Sequence, residues 1–435
     1  MIIKINCEND FLMDVLQKNP EEDMGLYLTP LKKGHVAGNV INKHNYEIVF
    51  QDSKDSFISE GNNQIDYQSY CAPLAALHVC NELFAHILLS RDDFAQKEIS
   101  KLQCTQSEID NKPCCIEIVS LYIDSKWFRD GRFLLSKYFD GIEVEQQTNR
   151  IFRLRVTAPS IFDAVNLLSL VSLFTHITNE QNDPTYMDES LAQKYGRVLS
   201  NIRNVPYFVF YLFIQRAMKT EAQFNDLKPV FENYLAESGL HVDLNWLGAK
   251  QQRINYISEQ LEAEIPILDI GCGEFDFYKN MVKSGFKEMY YAVDKDERIE
   301  TLSRSIIKRN EENNLVFFSS LEQFLFADKI NVLLVEVIEH NSLDDAKALI
   351  KQILARYNIN KMFISSPNIE FNCYYNNVDN RFRHDDHMFE LDTIEFRAVV
   401  EECISEQSCS VEYFYLGDCI NGIYPTQGCL ISFLR

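Results

Sequence analysis

From about residue 246 to its end, the chain alternates short apolar runs with stretches of helical period. That rhythm predicts a sheet whose strands are separated by helices. Residues 265–270 form an apolar run interrupted by one aspartate, the pattern of a strand covered on both faces. A helix follows to about 285, then a strand at 289–293 and a charged amphipathic helix at 297–312. Strands are predicted at 316–319 and 331–335, a helix at 342–357, and a fifth strand at 361–365. After a long irregular loop come a helix near 393–406 and an antiparallel pair at 411–416 and 429–434. This order is a doubly wound sheet closed by a hairpin. The first 245 residues mix strand-like segments (46–50, 116–122, 151–156) with apolar helical ones (72–89, 160–174, 206–218), which predicts a separate α+β domain. The division expected is therefore 1–245 and 246–435, with a linker at 238–249.

Composition narrows the class without deciding it. Hydrophobic residues make up 46% of the chain and charged residues 24%, an ordinary globular mixture. The N-terminus lacks a basic segment followed by a long apolar one. The most apolar run, 162–174, is broken by Asp163 and Asn166 and is too short to cross a bilayer. No membrane association is expected, and the location expected is cytoplasmic. Twelve cysteines contain no Cys-x-x-Cys pair, so free thiols in a reducing compartment are expected. The formal charge of −22 excludes broad binding to nucleic acid through many phosphates, but not recognition of an RNA end by a few groups. Local basic clusters (Lys279, Lys283 and Lys287; Arg298, Arg304, Lys308 and Arg309; Arg381 and Arg383) read mostly as solvated faces.

Candidate chemistry begins at Ile267-Leu268-Asp269-Ile270-Gly271-Cys272-Gly273, a glycine turn directly after a buried strand. Glycines there let the backbone take positive φ and approach a ligand. The dinucleotide fingerprint is not completed, because Asp276 stands where its third glycine would be, and Glu274 and Asp276 would repel a diphosphate. Acidic residues around such a turn suit a cationic ligand, and S-adenosylmethionine is one. Asp294 ends the next strand, where a carboxylate meets ribose hydroxyls. The cofactor-binding candidates are Asp269, Gly271, Gly273 and Asp294, with Ser320 and Leu321 after the third strand.

The second constellation is Glu336-Val337-Ile338-Glu339-His340, whose spacing of three and four puts three ligand-type side chains on one face of a helical turn. Its bland alternative is a polar helix entry, since Ser342 and Asp345 resemble a capping box. The loop after the fifth strand carries a dense cluster from Arg383 to Glu390, including His384, Asp386 and His387. Loops at the carboxyl ends of the strands converge over the ligand crevice in such folds. A mixed carboxylate and imidazole set suits Mn²⁺ or Co²⁺ better than Mg²⁺, which prefers oxygen alone.

These residues resemble the Hua-enhancer family of small-RNA 3′-terminal 2′-O-methyltransferases. The resemblance rests on Glu336 to His340, Ser366 to Asn372, Asp386 to Glu390, and Pro425-Thr426-Gln427, and covers most of 260–435. It implies a Rossmann-like S-adenosylmethionine-dependent methyltransferase domain in which Glu336, Glu339, His340 and His387 bind one divalent metal and carry catalysis. Mn²⁺ is favoured, with Mg²⁺ and Co²⁺ as alternatives. His387 rather than His384 is selected by the family's Asp-His-x-Phe-Glu pattern. Leu391 departs from it, because the family has tryptophan there. The N-terminal half is similar, more diffusely, to the extra domain of the family's bacterial branch, at 25–30, 67–77 and 167–195. Asn182 to Tyr186 fall where that branch has an acidic, aromatic loop. In that branch the domain resembles an activator of the RNA ligase module of a polynucleotide kinase-phosphatase, which implies a role in RNA repair. Two other readings stay open on the sequence: a methyltransferase for a small molecule, and a non-catalytic scaffold that activates a ligase.

Overall fold

The computed structural model describes residues 1–17, 25–52, 70–102, 104–124, 136, 141–179, 189–309, 314–375 and 382–433. The chain divides into two compact units, Met1–Ser238 and Gly239–Arg435.

In the first unit, strands β1 (Ile2–Cys7), β2 (Gly25–Leu31), β3 (Gly34–Asn42), β4 (Asn45–Asp52), β5 (Cys114–Tyr122), β6 (Ile142–Gln146) and β7 (Ile151–Ala158) form one sheet. Its order is β2-β3-β4-β1-β5-β7-β6, and neighbouring strands run antiparallel. β1 alternates exposed and buried positions, the signature of a sheet with one covered face. The opening segment, tested only as a leader, is thus a central strand.

Helix Ile161–Thr178 is buried along its whole length except at Asp163, whose backbone N–H is capped by Ser160. It runs beyond the apolar stretch seen in the sequence and is long and apolar enough to cross a membrane. Almost all of it is packed inside the protein, however, the state expected of an all-round apolar core helix. Helices Glu189–Asn201, Tyr207–Arg216 and Glu221–Glu237 follow it; the last is set by a Thr220–Gln223 capping box. The α+β expectation holds. Residues 182–186 and Arg381 lie outside the described residues.

The segment read as a linker packs within the second unit. Strand β8 (Val242–Asp243) pairs with a short strand at Cys419–Ile420, and Asn245 N donates to Asp418 Oδ1 at 2.7 Å. A two-residue strand whose partner is far along the chain leaves no periodicity to read.

The main sheet of the second unit contains β9 (Ile267–Ile270), β10 (Tyr290–Val293), β11 (Leu315–Phe318), β12 (Lys329–Val335), β13 (Asn358–Pro367), β14 (Cys409–Leu416) and β16 (Thr426–Phe433), with β15 (Cys419–Ile420) outside it. Its order is β11-β10-β9-β12-β13-β16-β14. The first five strands are parallel, and β16 runs antiparallel to both neighbours. Residues 332–335 read as continuous apolar sequence because β12 is buried on both sides. Leu334 packs with Ile350, Ile364 and Phe396, whereas Leu333 packs on the opposite face with Ile267, Tyr290 and Phe363. Helices Leu343–Arg356 and Thr393–Ile404 pack on the first face, and helix Asp276–Lys283 on the second. All twelve cysteines are free thiols, as expected.

Leu333→Ala deletes a fully buried side chain at the centre of this sheet. It should cost about 2–5 kcal/mol, read as a lower urea midpoint for unfolding of the second unit.

Candidate active site

The turn after β9 has the backbone that its glycines allow. Gly271 lies at φ +74° and Gly273 at φ +51°. A Cβ on Gly273 would meet nothing within 4 Å, so its backbone faces open space that a ligand can enter. A Cβ on Gly271 would stand 2.4 Å from Val337 Cγ2. The glycine turn and the segment carrying Glu336 and Glu339 are therefore packed against each other. The place after Glu274 is taken by Phe275, fully buried at φ 63° just before helix Asp276–Lys283. A left-handed phenylalanine costs of order 1–3 kcal/mol and persists because its ring is buried in the core.

Asp294, after β10, accepts a hydrogen bond from Gly273 N at 3.0 Å through Oδ2, and one from Asp296 N at 3.0 Å through Oδ1. It holds the turn and keeps lone pairs for a ribose. Asp269 is only 2% exposed and accepts a hydrogen bond from the Tyr290 hydroxyl at 2.5 Å. Burial pushes its carboxyl up to about 7; the Tyr290 hydrogen bond opposes this and the charge of Asp294 adds to it. Ser320 precedes the short turn Leu321–Gln323, and Leu321 is buried beside Ile270 and Val293. Gly271, Gly273 and Asp294 thus form one site edge, while Asp269 and Leu321 belong to the buried layer around it.

At the ends of β12 and β13, Glu339, His340 and His387 come together, with one ligand atom from each within 4.8 Å of the others. Both oxygens of the Glu339 carboxylate are buried and have no hydrogen-bond partner among the described residues. Burial, then the charge of Glu336, drives its pKa well above the usual carboxylate range. The His340 and His387 rings stand 4.9 Å apart, edge to face. His387 Nδ1 is bonded to Glu390 Oε1 at 2.6 Å, which turns Nε2 into the free nitrogen. Glu390 is held in turn by Asn372 Nδ2 and by Arg383 N, each at 2.5 Å. Met388 N donates to the Glu339 carbonyl at 2.8 Å, pinning the second loop to the first. His340 Nδ1 lies 3.3 Å from Asp386 Oδ2 on the open side. The His384 ring meets that of His387 edge to face, with centroids 5.2 Å apart, but is not among the three converging groups.

The structure corrects one geometric expectation. Glu336 does not share a helical face with Glu339 and His340. It sits at φ 55°, before the 3₁₀ turn Ile338–His340, and β12 has already ended. Its carboxylate accepts from Ser365 Oγ at 3.0 Å and faces Arg253 Nη1 at 3.3 Å, outside the three-residue cluster. Leu391, in the family's tryptophan position, is a core residue whose carbonyl accepts from Gln427 Nε2 at 2.8 Å. Sequence reading assigned no role to Glu390, though its spacing of three from His387 was visible, and no signal pointed to Arg253 or Ser365.

Residues 2–236, more than half of the chain, match the family model of the Hen1 N-terminal domain. The chain belongs to the Hen1 family. It is 40% identical to a chain of a solved Pnkp1/Rnl/Hen1 RNA repair complex, with a TM-score of 0.84 over 99% of this chain and 100% of that one. A second structure of a Pnkp1/Rnl/Hen1 complex gives 40% identity and a TM-score of 0.81 over the full length of both chains. The "Small RNA 2′-O-methyltransferase" of Caenorhabditis elegans is 27% identical over 152 residues, which span 31% of this chain and 34% of that protein. The chain thus matches about a third of the nematode protein's length. The resemblance read from the motifs and these matches point to one family. The second unit has a Rossmann-like sheet, with the antiparallel strand β16 lying between β13 and β14.

The raised Asp269 carboxyl makes a signed prediction. Its protonated form stabilises the fold fully below pH about 4, and that stabilisation is lost as pH rises through about 7. Asp269→Asn keeps an acceptor for Tyr290 and does not titrate. Its stability relative to the parent should therefore increase between pH 4 and 8, with a ceiling of about 4 kcal/mol, read as the difference in Tm at the two pH values. Gly271→Ala should displace Val337 and weaken S-adenosylmethionine binding by at least about tenfold in calorimetry.

Proposed function

We propose that the second unit transfers a methyl group from S-adenosylmethionine to the ribose 2′-hydroxyl at the 3′ end of an RNA. We assign its divalent metal, Mn²⁺ ahead of Mg²⁺ or Co²⁺, to Glu339, His340 and His387, with Glu336 as the fourth ligand. One observation carries this reading: a buried carboxylate with no hydrogen-bond partner among the described residues, set against two imidazoles. Desolvating such a group is costly unless a cation completes it, and this donor set fits a metal that accepts both oxygen and nitrogen. For the methyl donor, the open space at Gly273 and the carboxylate of Asp294 supply a backbone approach and a ribose acceptor.

When bound, the donor supplies an electrophilic methyl and the cation supplies Lewis acidity that lowers the pKa of a hydroxyl beside it. The protein's own groups position and exclude. Glu390 occupies Nδ1 of His387, so a ligating His387 has no nitrogen left to act as a general base. The Met388–Glu339 backbone bond keeps the two ligand loops at fixed spacing, and such positioning supplies much of the acceleration in a single-step transfer. A terminal nucleotide presents a vicinal diol that can chelate through two oxygens. An internal nucleotide has its 3′ oxygen esterified, which accounts for a preference for ends.

The likeness to a chain of an RNA repair complex along 99% of this sequence supports a partner as well. We assign to the first unit the binding and activation of an RNA ligase joined to a polynucleotide kinase-phosphatase, with methylation protecting the mended end. The likeness of the whole chain favours this dual role over a scaffold alone, and a small-molecule methyltransferase would have no use for the paired ligand loops.

RNA with a free 3′-terminal diol should be methylated with Mn²⁺ and not with EDTA, whereas 3′-phosphate, 2′-deoxy and 3′-deoxy ends should be inert. Brisk methylation of a 3′-deoxy end would refute the chelate. Glu339→Gln and His340→Ala should abolish turnover while leaving S-adenosylmethionine binding measurable by calorimetry. Because Glu339, whose carboxyl burial holds well above the usual range, and the two imidazoles must all be free of protons to ligate, the apparent Mn²⁺ affinity should tighten as pH rises.

A further inference from the structure

Arg253 stands outside every motif of the chain, on helix Ala249–Gln260. Its side chain is 12% exposed. Nη1 lies 3.3 Å from Glu336 Oε2 and donates to Thr426 Oγ1 at 2.9 Å, while Nε is buried without a hydrogen-bond partner among the described residues. The other Glu336 oxygen takes the Ser365 hydroxyl. With both oxygens so engaged, Glu336 stands apart from the cluster of Glu339, His340 and His387. The positive charge of Arg253 also acts on Glu339.

We propose that Arg253 is a positioning residue that serves as the resident counter-cation of this centre, competing with the divalent metal for Glu336. The proposal rests on the metal reading above. A buried carboxylate beside a half-buried one favours positive charge nearby, and the guanidinium of Arg253 provides it at Glu336. A divalent cation arriving at Glu339 meets that guanidinium as a like charge, and the sign of the Coulomb term opposes binding. Metal binding therefore requires Glu336 to exchange its arginine partner for the metal. An arginine that merely oriented a ligand would hold the Glu336 oxygens among the other three ligand atoms, and Arg253 holds them elsewhere. The left-handed backbone of Glu336 belongs to the same arrangement: it is strained, and it is fixed by the Glu336 N–H bond to the Ser365 carbonyl at 3.0 Å. The device lets the fold close around its carboxylates without metal and keeps metal affinity below what those ligands alone would give.

The test uses the full chain. Free Mn²⁺ is counted by electron paramagnetic resonance to give a Kd, and Tm is measured with and without Mn²⁺, for the parent, Arg253→Met, Arg253→Lys and Glu339→Gln. Arg253→Met should bind Mn²⁺ about tenfold more tightly or better, melt lower without metal, and show a larger Mn²⁺-induced rise in Tm than the parent. Arg253→Lys, which keeps the charge, should stay near the parent Kd, and Glu339→Gln should lose binding. Should Arg253→Met fail to fold without metal, Arg253→Gln gives the same readout. An uncharged variant that binds Mn²⁺ no more tightly than the parent overturns the counter-cation role and leaves the metal reading standing. Absence of saturable Mn²⁺ binding by the parent overturns both.

Discussion

A carboxylate taken out of water must be met by a donor or a cation, and Glu339 is met by no donor among the described residues. The nearest complementary groups are two imidazoles, which are acceptors as readily as donors, and a guanidinium already engaged with Glu336. The local arrangement follows from that unmet charge. His387 is fixed through Glu390, Glu390 through Asn372 and the Arg383 backbone, and the second loop is tied to the first by Met388. These are the supports that a metal centre needs if its ligands are to be in place before the cation arrives.

The sheet puts this centre beside the methyl-donor turn by packing rather than by a shared element. β9 and β12 are neighbours, so the turn after the first and the segment after the second emerge side by side. Gly271 lets Val337 fill the space that any side chain there would need. Val337 lies between Glu336 and Glu339, so the geometry of the turn and that of the ligands cannot vary independently. Physical coupling of this kind is what a reaction between a bound methyl donor and a metal-held hydroxyl requires.

The strongly acidic balance of the chain also fits this picture. A protein with a net charge of −22 is a poor general binder of nucleic acid, and a chemical grip on one terminal diol does not depend on wide phosphate contact. The first unit carries its own antiparallel sheet and core helix, and it is the part that matches the Hen1 N-terminal family model.

Much of the second unit was legible from the chain alone, because parallel strands buried on both faces leave unbroken apolar runs, and each end is punctuated by glycine, a cap or a charge. The glycine turn, Asp294, Glu339 and His340 were visible for the same reason, local spacing and residue type, whereas His387 was told from His384 by the resemblance to the family's Asp-His-x-Phe-Glu pattern alone. Strand β1, the β8–β15 pairing and the true end of the first unit were not visible. Short strands whose partners are distant have no period of their own. The tertiary structure alone decided that Glu336 leaves the helical face of its neighbours at a left-handed residue, and that Arg253, 83 positions upstream, is what it faces. A linear chain fixes which charges exist. Which of them are driven together, and at what electrostatic cost, is settled only when the sheet has closed around them.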